Sequence, residues 1–184
     1  MRLAIFAAIT ACAATSAAAQ SMSWDGFYAG LSVGSGFGEQ TYYNSVNYDL
    51  VGQARGLFAG YNYAVGSYVL GAELAASKSD IAEDCCSGYD FGQFIDLKFR
   101  VGYPVGKSLI YGLVGYTTAK WDQDDNGDYY DVDGYNFGIG VDYAVSDKFV
   151  VGLEVLSRQL ETNTVGGGFE ADPGTVSLRA AYKF

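Results

Sequence analysis

The sequence predicts an all-β protein, an eight-stranded antiparallel up-and-down β-barrel that spans a membrane. Large apolar residues alternate with small or polar ones along eight segments, as side chains alternate between the two faces of a strand. The connections between these segments alternate between short and long, which is typical of barrels in outer membranes. The last segment, 175–184, has an apolar face that ends on Tyr182 and Phe184, and aromatic rings of this kind are expected at a membrane interface.

Two regions are predicted along the chain. Residues 1–19 have the features of a cleaved signal peptide, with Arg2 as the charge, an apolar run over 3–14 and small residues at 17–19. A lipoprotein signal that ends at Cys12 is the alternative, and the short apolar run before this cysteine disfavours it. Residues 20–184 are predicted to form the barrel domain.

The eight strands follow in order from the alternation. They are predicted at 27–37, 56–63, 68–76, 94–103, 109–121, 135–143, 149–158 and 175–184. The fifth strand is apolar on both parities, so the alternation does not say which of its faces points inward. Short connections are predicted at 64–67, 104–108 and 145–148, and long polar ones at 39–50, 77–92, 120–134 and 159–174. Aromatic residues cluster beside the short connections, as in an interfacial girdle.

A soluble lipocalin-like barrel or a β-sandwich is the competing fold. Such a fold points its large apolar residues into a core and leaves a polar outer face. In this chain the face opposite the large apolar residues has glycine, serine and charged residues, which would pack poorly as an apolar core. The membrane barrel is therefore the favoured fold.

The overall charge and the missing histidine exclude several functions. The chain has 21 acidic residues against 11 basic ones, a net charge of −10, and this disfavours a nucleic-acid partner. It has no histidine, so the usual general base of hydrolytic barrels is absent and the protein is predicted not to be an enzyme.

Cys85 and Cys86 are neighbours in one long connection, and they are either free thiols or a strained disulfide.

Charged residues also fall on the predicted inward face. The lumen of a small barrel is nearly filled by side chains, and buried charges must be paired. These residues are therefore predicted to form ion pairs that plug the lumen. The set is Glu73, Asp96, Lys98, Arg100, Asp142, Glu154, Arg158, Arg179 and Lys183.

An acidic segment between the fifth and sixth strands follows the spacing of a calcium loop. Its candidate ligands are Asp122, Asp124, Asn126, Asp128 and Asp133, and Gly127 permits the sharp bend. The competing interpretation is a solvated acidic loop, because no flanking helices shape the site. Apart from weak calcium binding, no cofactor is predicted.

Several motifs together resemble the small porin-like, opacity-type family of outer-membrane β-barrels, whose architecture is related to the OmpA transmembrane domain. The matching segments are 24–30, 60–63, 70–73, 100–103, 110–112, 138–149 and 182–184. The resemblance implies a location in the outer membrane of a Gram-negative bacterium, contact with its lipids, and a C-terminal Phe184 that the barrel assembly machinery recognises. It implies no reaction.

Two functions are then expected. The first is a structural or surface-binding role, in adhesion or envelope integrity, through long extracellular loops that would meet an extracellular ligand or a host surface. Tyrosine-rich loop tips suit such contacts, because tyrosine combines a large contact area with a polar end. The alternative is a small passive porin-like channel for ions or small solutes.

Overall fold

The computed structural model describes residues 23–42, 47–83, 90–122, 129–162 and 169–184. Each strand pairs antiparallel with its neighbour in the chain, and β1 closes the sheet by pairing with both β2 and the last strands. The strands are β1 (Gly26–Tyr42), β2 (Asn47–Val65), β3 (Tyr68–Glu83), β4 (Asp90–Val105), β5 (Ser108–Asp122), β6 (Tyr129–Ala144), β7 (Phe149–Thr162), β8 (Phe169–Ala171) and β9 (Gly174–Lys183).

The barrel wall is eight strands around, although nine strand segments are present. Both β8 and β9 pair with β7 on one side and β1 on the other, so they are two parts of one strand that is interrupted at Asp172 and Pro173. Proline has no N–H to donate to the ladder, which explains a break at this point. The predicted eight-stranded antiparallel barrel is confirmed. No helix in the described parts of the chain is long and apolar enough to cross a membrane.

The strands extend further than the sequence predicts. The long polar connection predicted at 39–50 is mostly ladder, since β1 continues to Tyr42 and β2 begins at Asn47. The other three long connections are shortened in the same way. The polar pattern predicts a loop there because the apolar residues stop on both faces of the strands. Backbone pairing does not require an apolar face, so the ladder continues into the polar zone.

We call the end of the barrel that carries the three brief connections the short-turn rim, and the opposite end the long-connection rim. The turns after β2 and β4 contain two residues each, and each begins with a glycine in the left-handed region, Gly66 at φ 60° and Gly106 at φ 61°. A tight hairpin needs this backbone conformation, which glycine adopts without steric cost.

The outer surface is an apolar belt, formed by the large hydrophobic side chains that point away from the lumen, such as Leu31, Leu57, Ile139 and Leu178, each more than 60 % exposed. Aromatic rings border it at the short-turn rim, where Phe27 and Tyr61 lie 4.7 Å apart between ring centroids. The ring pairs Tyr68–Tyr103 and Phe149–Tyr182, at 5.8 and 5.3 Å, continue this girdle.

The structure also settles the direction of the fifth strand. Leu109, Leu113 and Trp121 are buried inside the barrel, while Ile110 and Val114 are more than half exposed on the belt. Both faces of β5 are apolar, because its inward residues contribute to apolar layers at the two ends of the lumen. The sequence alternation could not show this, since it does not distinguish a lipid-facing leucine from a lumen-facing one.

Candidate functional site in the barrel lumen

The lumen has three layers. An apolar cluster lies at the short-turn rim and includes Trp24, Val69, Leu109 and Val150. A second apolar cluster lies at the long-connection rim and includes Phe91, Phe94, Trp121 and Leu160. Between the clusters lie eight charged side chains, four acidic and four basic, each no more than 7 % exposed. They are Glu73, Asp96, Lys98, Arg100, Asp142, Glu154, Arg158 and Arg179.

Glu73 is the centre of this charged layer. Its carboxylate accepts from Lys98 Nζ at 3.2 Å and from Arg179 Nη2 at 2.5 Å, and it lies 3.5 Å from Arg100 Nη1. The hydroxyl of Tyr28 donates a further hydrogen bond at 2.9 Å. Glu73 is the register partner of Lys98, so the β3–β4 ladder itself sets one of these pairs.

Glu154 lies across the lumen and shares two of the same cations. Lys98 Nζ lies 2.6 Å from its carboxylate, and Arg179 Nη1 also donates to it. The hydroxyl of Tyr111 donates at 3.0 Å. Two acids and two bases therefore alternate in a ring that joins β3, β4, β7 and β9, and this ring cross-links opposite walls of the barrel.

Two guanidinium groups of this network also stack on aromatic rings. Arg100 donates to Asp142 at 2.5 Å, and its guanidinium carbon lies 3.8 Å from the centroid of Tyr111. The guanidinium carbon of Arg179 lies 3.9 Å from the centroid of Phe58. Stacking of this kind stabilises a desolvated cation and fixes its plane.

Asp96 and Arg158 form a separate pair nearer the long-connection rim. The guanidinium donates from Nε and Nη2 to the two carboxylate oxygens, at 2.9 and 2.8 Å. Thr117 donates to the same carboxylate at 2.7 Å, and Asn136 donates to the Thr117 hydroxyl at 2.9 Å. This bidentate geometry is the strongest form of a carboxylate–arginine contact.

Lys183 departs from the predicted set. It lies at the short-turn rim, where its Nζ donates to the backbone carbonyl of Ser23, and no described carboxylate lies within ion-pair distance of it. The residues just before β1 form a lid at this rim. Asp25 accepts from the Ala64 backbone at 2.5 Å, and Trp24 is only 4 % exposed. The structure thus assigns Lys183 to the lid and not to the ionic plug.

Sequence reasoning missed the polar partners Tyr28, Tyr111, Thr117 and Asn136. Inward-facing glycines are a sequence signal that could have indicated the two tyrosines. A Cβ at Gly60 would collide with the Tyr28 ring, and a Cβ at Gly140 would collide with the Tyr111 ring. Each glycine thus makes room for a large ring from a nearby strand.

Little free space remains in the described lumen. The two cavities beside Arg179 have volumes of about 20 and 30 Å³, enough for one or two water molecules each. Every charged group of the middle layer has an opposite partner within 3.5 Å. The arrangement can hold the walls together and obstruct passage.

The predicted calcium loop falls mostly outside the described residues. Asp124, Asn126 and Asp128 lie there, and so do Cys85 and Cys86. Asp122 is the last residue of β5, and Asp133 lies on the outer face of β6, where its carboxylate accepts from the Tyr116 hydroxyl. Among the described residues no group of three or more acidic or cysteine side chains is placed to hold a metal.

Comparison with known proteins yields one family and several structures. Residues 4–184 match the family model described as outer membrane protein beta-barrel domain. The crystal structure of Neisserial surface protein A superposes with a TM-score of 0.58 at 15 % identity, covering 86 % of this chain and 97 % of that one. The crystal structure of Ail, the attachment invasion locus protein of Yersinia pestis, superposes with a TM-score of 0.53 at 13 % identity, covering 86 % of this chain and 99 % of that one. At these identities the likeness concerns the fold alone. No curated protein sequence matches the chain.

Proposed function

Because the chain belongs to the outer membrane protein beta-barrel domain family, we propose that it is a closed barrel of a Gram-negative outer membrane with a structural or surface-binding role and no catalytic activity. The observation that carries this proposal is the ionic layer sealed between two apolar layers. A lumen filled in this way leaves the outer surface and the rims as the parts of the molecule that can meet partners.

The short-turn rim is proposed to face the periplasm. Outer-membrane barrels have short turns on that side and long loops outside the cell. The start of β1 and the end of β9 both lie at the short-turn rim, where the Phe184 amide donates to the Phe27 carbonyl at 2.9 Å. The ring of Phe184 is 75 % exposed, which leaves it accessible to the barrel assembly machinery.

The long-connection rim is proposed as the binding surface. β1 and β2 continue well beyond the last large hydrophobic residues of their outer faces, Phe37 and Val51, into a polar zone. A paired ladder is stiffer than an irregular loop, so it holds the strand ends that carry the connections at fixed positions above the membrane. A surface built on ordered strand ends loses less conformational entropy when it binds a partner.

Adhesion assays with shortened tips test this role. Asp122 and Tyr129 are register partners, so replacing residues 123–128 with Asn-Gly should give a tight hairpin that keeps the barrel intact. We expect bacteria that display this variant, or the equivalent variants of the other three tips, to adhere less to cultured epithelial cells. Replacing Gly66-Ser67 with Asn-Gly at the other rim is the control. Unchanged adhesion for all four tip variants would contradict a surface-binding role and leave a purely structural one.

Planar-bilayer recording tests the channel alternative. We expect purified, refolded protein to give no stable conductance, because an eight-stranded barrel has a lumen just wide enough for its own side chains, whereas open porins use about 16–18 strands. A refolded general porin in the same bilayers is the positive control. Reproducible steps on the order of a nanosiemens from this protein would overturn the closed barrel and favour a porin.

A further inference from the structure

The cations of this acidic chain have an uneven distribution. Of its 11 lysines and arginines, Arg2 lies in the predicted signal peptide and four are in the charged layer of the lumen. Three more, Lys107, Lys148 and Lys183, lie at the short-turn rim. The remaining three are Arg55, Lys78 and Lys120, all exposed on the outer face of the wall towards the long-connection rim.

These three residues, which we call the cationic row, lie along one line of register partners in the ladder. Arg55 on β2 is the register partner of Lys78 on β3, and Lys78 is the partner of Gln93 on β4. Gln93 is in turn the partner of Lys120 on β5. Every cation on the upper outer wall therefore falls on one side of the barrel. The rest of the wall, formed by β6, β7 and β1, presents exposed acids such as Asp131, Glu161 and Glu39, and Asp131 is the register partner of Lys120 at the end of the row.

The row lies near the upper edge of the apolar belt, four residues below the level of Phe37 and Val51 on β1 and β2. Arg55 is eight residues from Tyr63 of the aromatic girdle, and Lys78 is ten residues from Tyr68. At about 3.3 Å per residue and a strand tilt of about 40°, these separations are heights of about 20–25 Å, against an apolar band about 25 Å tall in such barrels. Leu57, two residues below Arg55, is 63 % exposed on the belt. From these heights the long arginine and lysine side chains of the row can extend to the level of the lipid headgroups.

The cations of the row are available for a ligand. Among the described side chains, no carboxylate oxygen lies within 4.0 Å of any of the three. Asp80 lies beside Lys78, but its carboxylate accepts from the Gln53 backbone N–H at 2.5 Å. A groove of about 360 Å³ opens here, lined by Val33, Gln53, Arg55, Lys78, Asp80 and Gly92.

We propose that the cationic row binds the phosphorylated headgroup of a membrane lipid whose acyl chains lie against the belt below. Phosphate oxygens match the charge of the row, and the exposed Leu31 and Leu57, which are register partners, offer an apolar surface two residues beneath Arg55. A phosphate free in solution would use only the charges and leave this apolar surface unused. In the orientation proposed above, the lipid belongs to the outer leaflet.

Matched double variants test the lipid site. Arg55→Gln/Lys78→Gln removes two cations from the row, and Lys107→Gln/Lys148→Gln removes two from the opposite rim. Each lysine or arginine near an anionic surface contributes about fivefold in affinity, so the first variant should bind lipid A about thirtyfold more weakly. Affinity is measured on folded, detergent-solubilised protein by titration with lipid A, with lipid A stripped of its phosphates as the unphosphorylated comparison. The rim variant and the charge-conserving Arg55→Lys should bind like the parent.

Three outcomes would overturn the proposal. Equal losses in the two double variants would mean a nonspecific charge effect. Equal binding of lipid A without its phosphates would mean that the site does not recognise phosphate. Equal affinity for the deacylated headgroup in solution would mean a site for free polyanions. Because these titrations use isolated protein, they do not depend on which rim faces outwards or on whether the lumen conducts, so this proposal can fail while the proposed function holds.

Discussion

Glu73→Gln is expected to lower the free energy of unfolding by about 3–5 kcal/mol, the usual cost of leaving buried charges without their partner. The carboxylate of Glu73 lies within 3.5 Å of Lys98, Arg100 and Arg179 and is 2 % exposed, so its loss leaves excess positive charge in a nearly closed lumen. The amide of glutamine can still accept hydrogen bonds but has no charge. The measurement is denaturant unfolding in lipid vesicles, with the shift between folded and unfolded bands of unboiled protein on a gel as a second readout.

Glu161→Gln is the control, because it makes the same chemical change at an exposed position on the outer face of β7. Its effect should stay within about 0.5 kcal/mol. The double variant Glu73→Gln/Lys98→Met adds a further test. If the two residues are coupled as the 3.2 Å contact indicates, the double variant loses less stability than the sum of the two single variants. Equal effects of Glu73→Gln and Glu161→Gln would show that lumen water screens the network.

Leu153→Arg is expected to weaken membrane insertion by about 2–4 kcal/mol, the cost of an arginine near the middle of the bilayer on a lipid-facing strand. Leu153 lies on the outer face of β7, and its register partners Val141 and Leu178 are exposed on the belt on either side. Phe149 of the girdle is four residues away. The measurement is the folded fraction after refolding into vesicles over a denaturant series.

Gln159→Arg is the matched control for this substitution. Gln159 lies on the same strand and the same face, six residues towards the long-connection rim, beside the exposed ring of its register partner Tyr135. Arginine near the interface costs only about 0–1 kcal/mol. Equal losses for Leu153→Arg and Gln159→Arg would mean that the apolar belt has been placed at the wrong height along the strands.

Many of the lumen residues could be predicted, because the face to which a side chain points depends only on its position along its own strand. Glu73, Lys98 and Arg100 fall on the inward face from the alternation of their strands alone, and the Glu73–Lys98 pair follows from placing β3 beside β4. The pair Asp96–Arg158 could not be predicted, since it spans the lumen between β4 and β7, which are not neighbours in the sheet. Contacts across a barrel depend on how far each strand is staggered, and alternation does not record that stagger.

By itself, the sequence determined that the chain forms an eight-stranded barrel, which face of most strands meets lipid, and which charges point inward. Those properties follow from the two-residue period of a strand and from the short glycine turns, both of which depend on residues close together in the chain. Only the tertiary structure decided that Lys183 joins Trp24 in the lid, that β5 turns Trp121 inward, and that Arg55, Lys78 and Lys120 share one row. These arrangements depend on barrel closure and register, which bring together residues that are far apart in sequence.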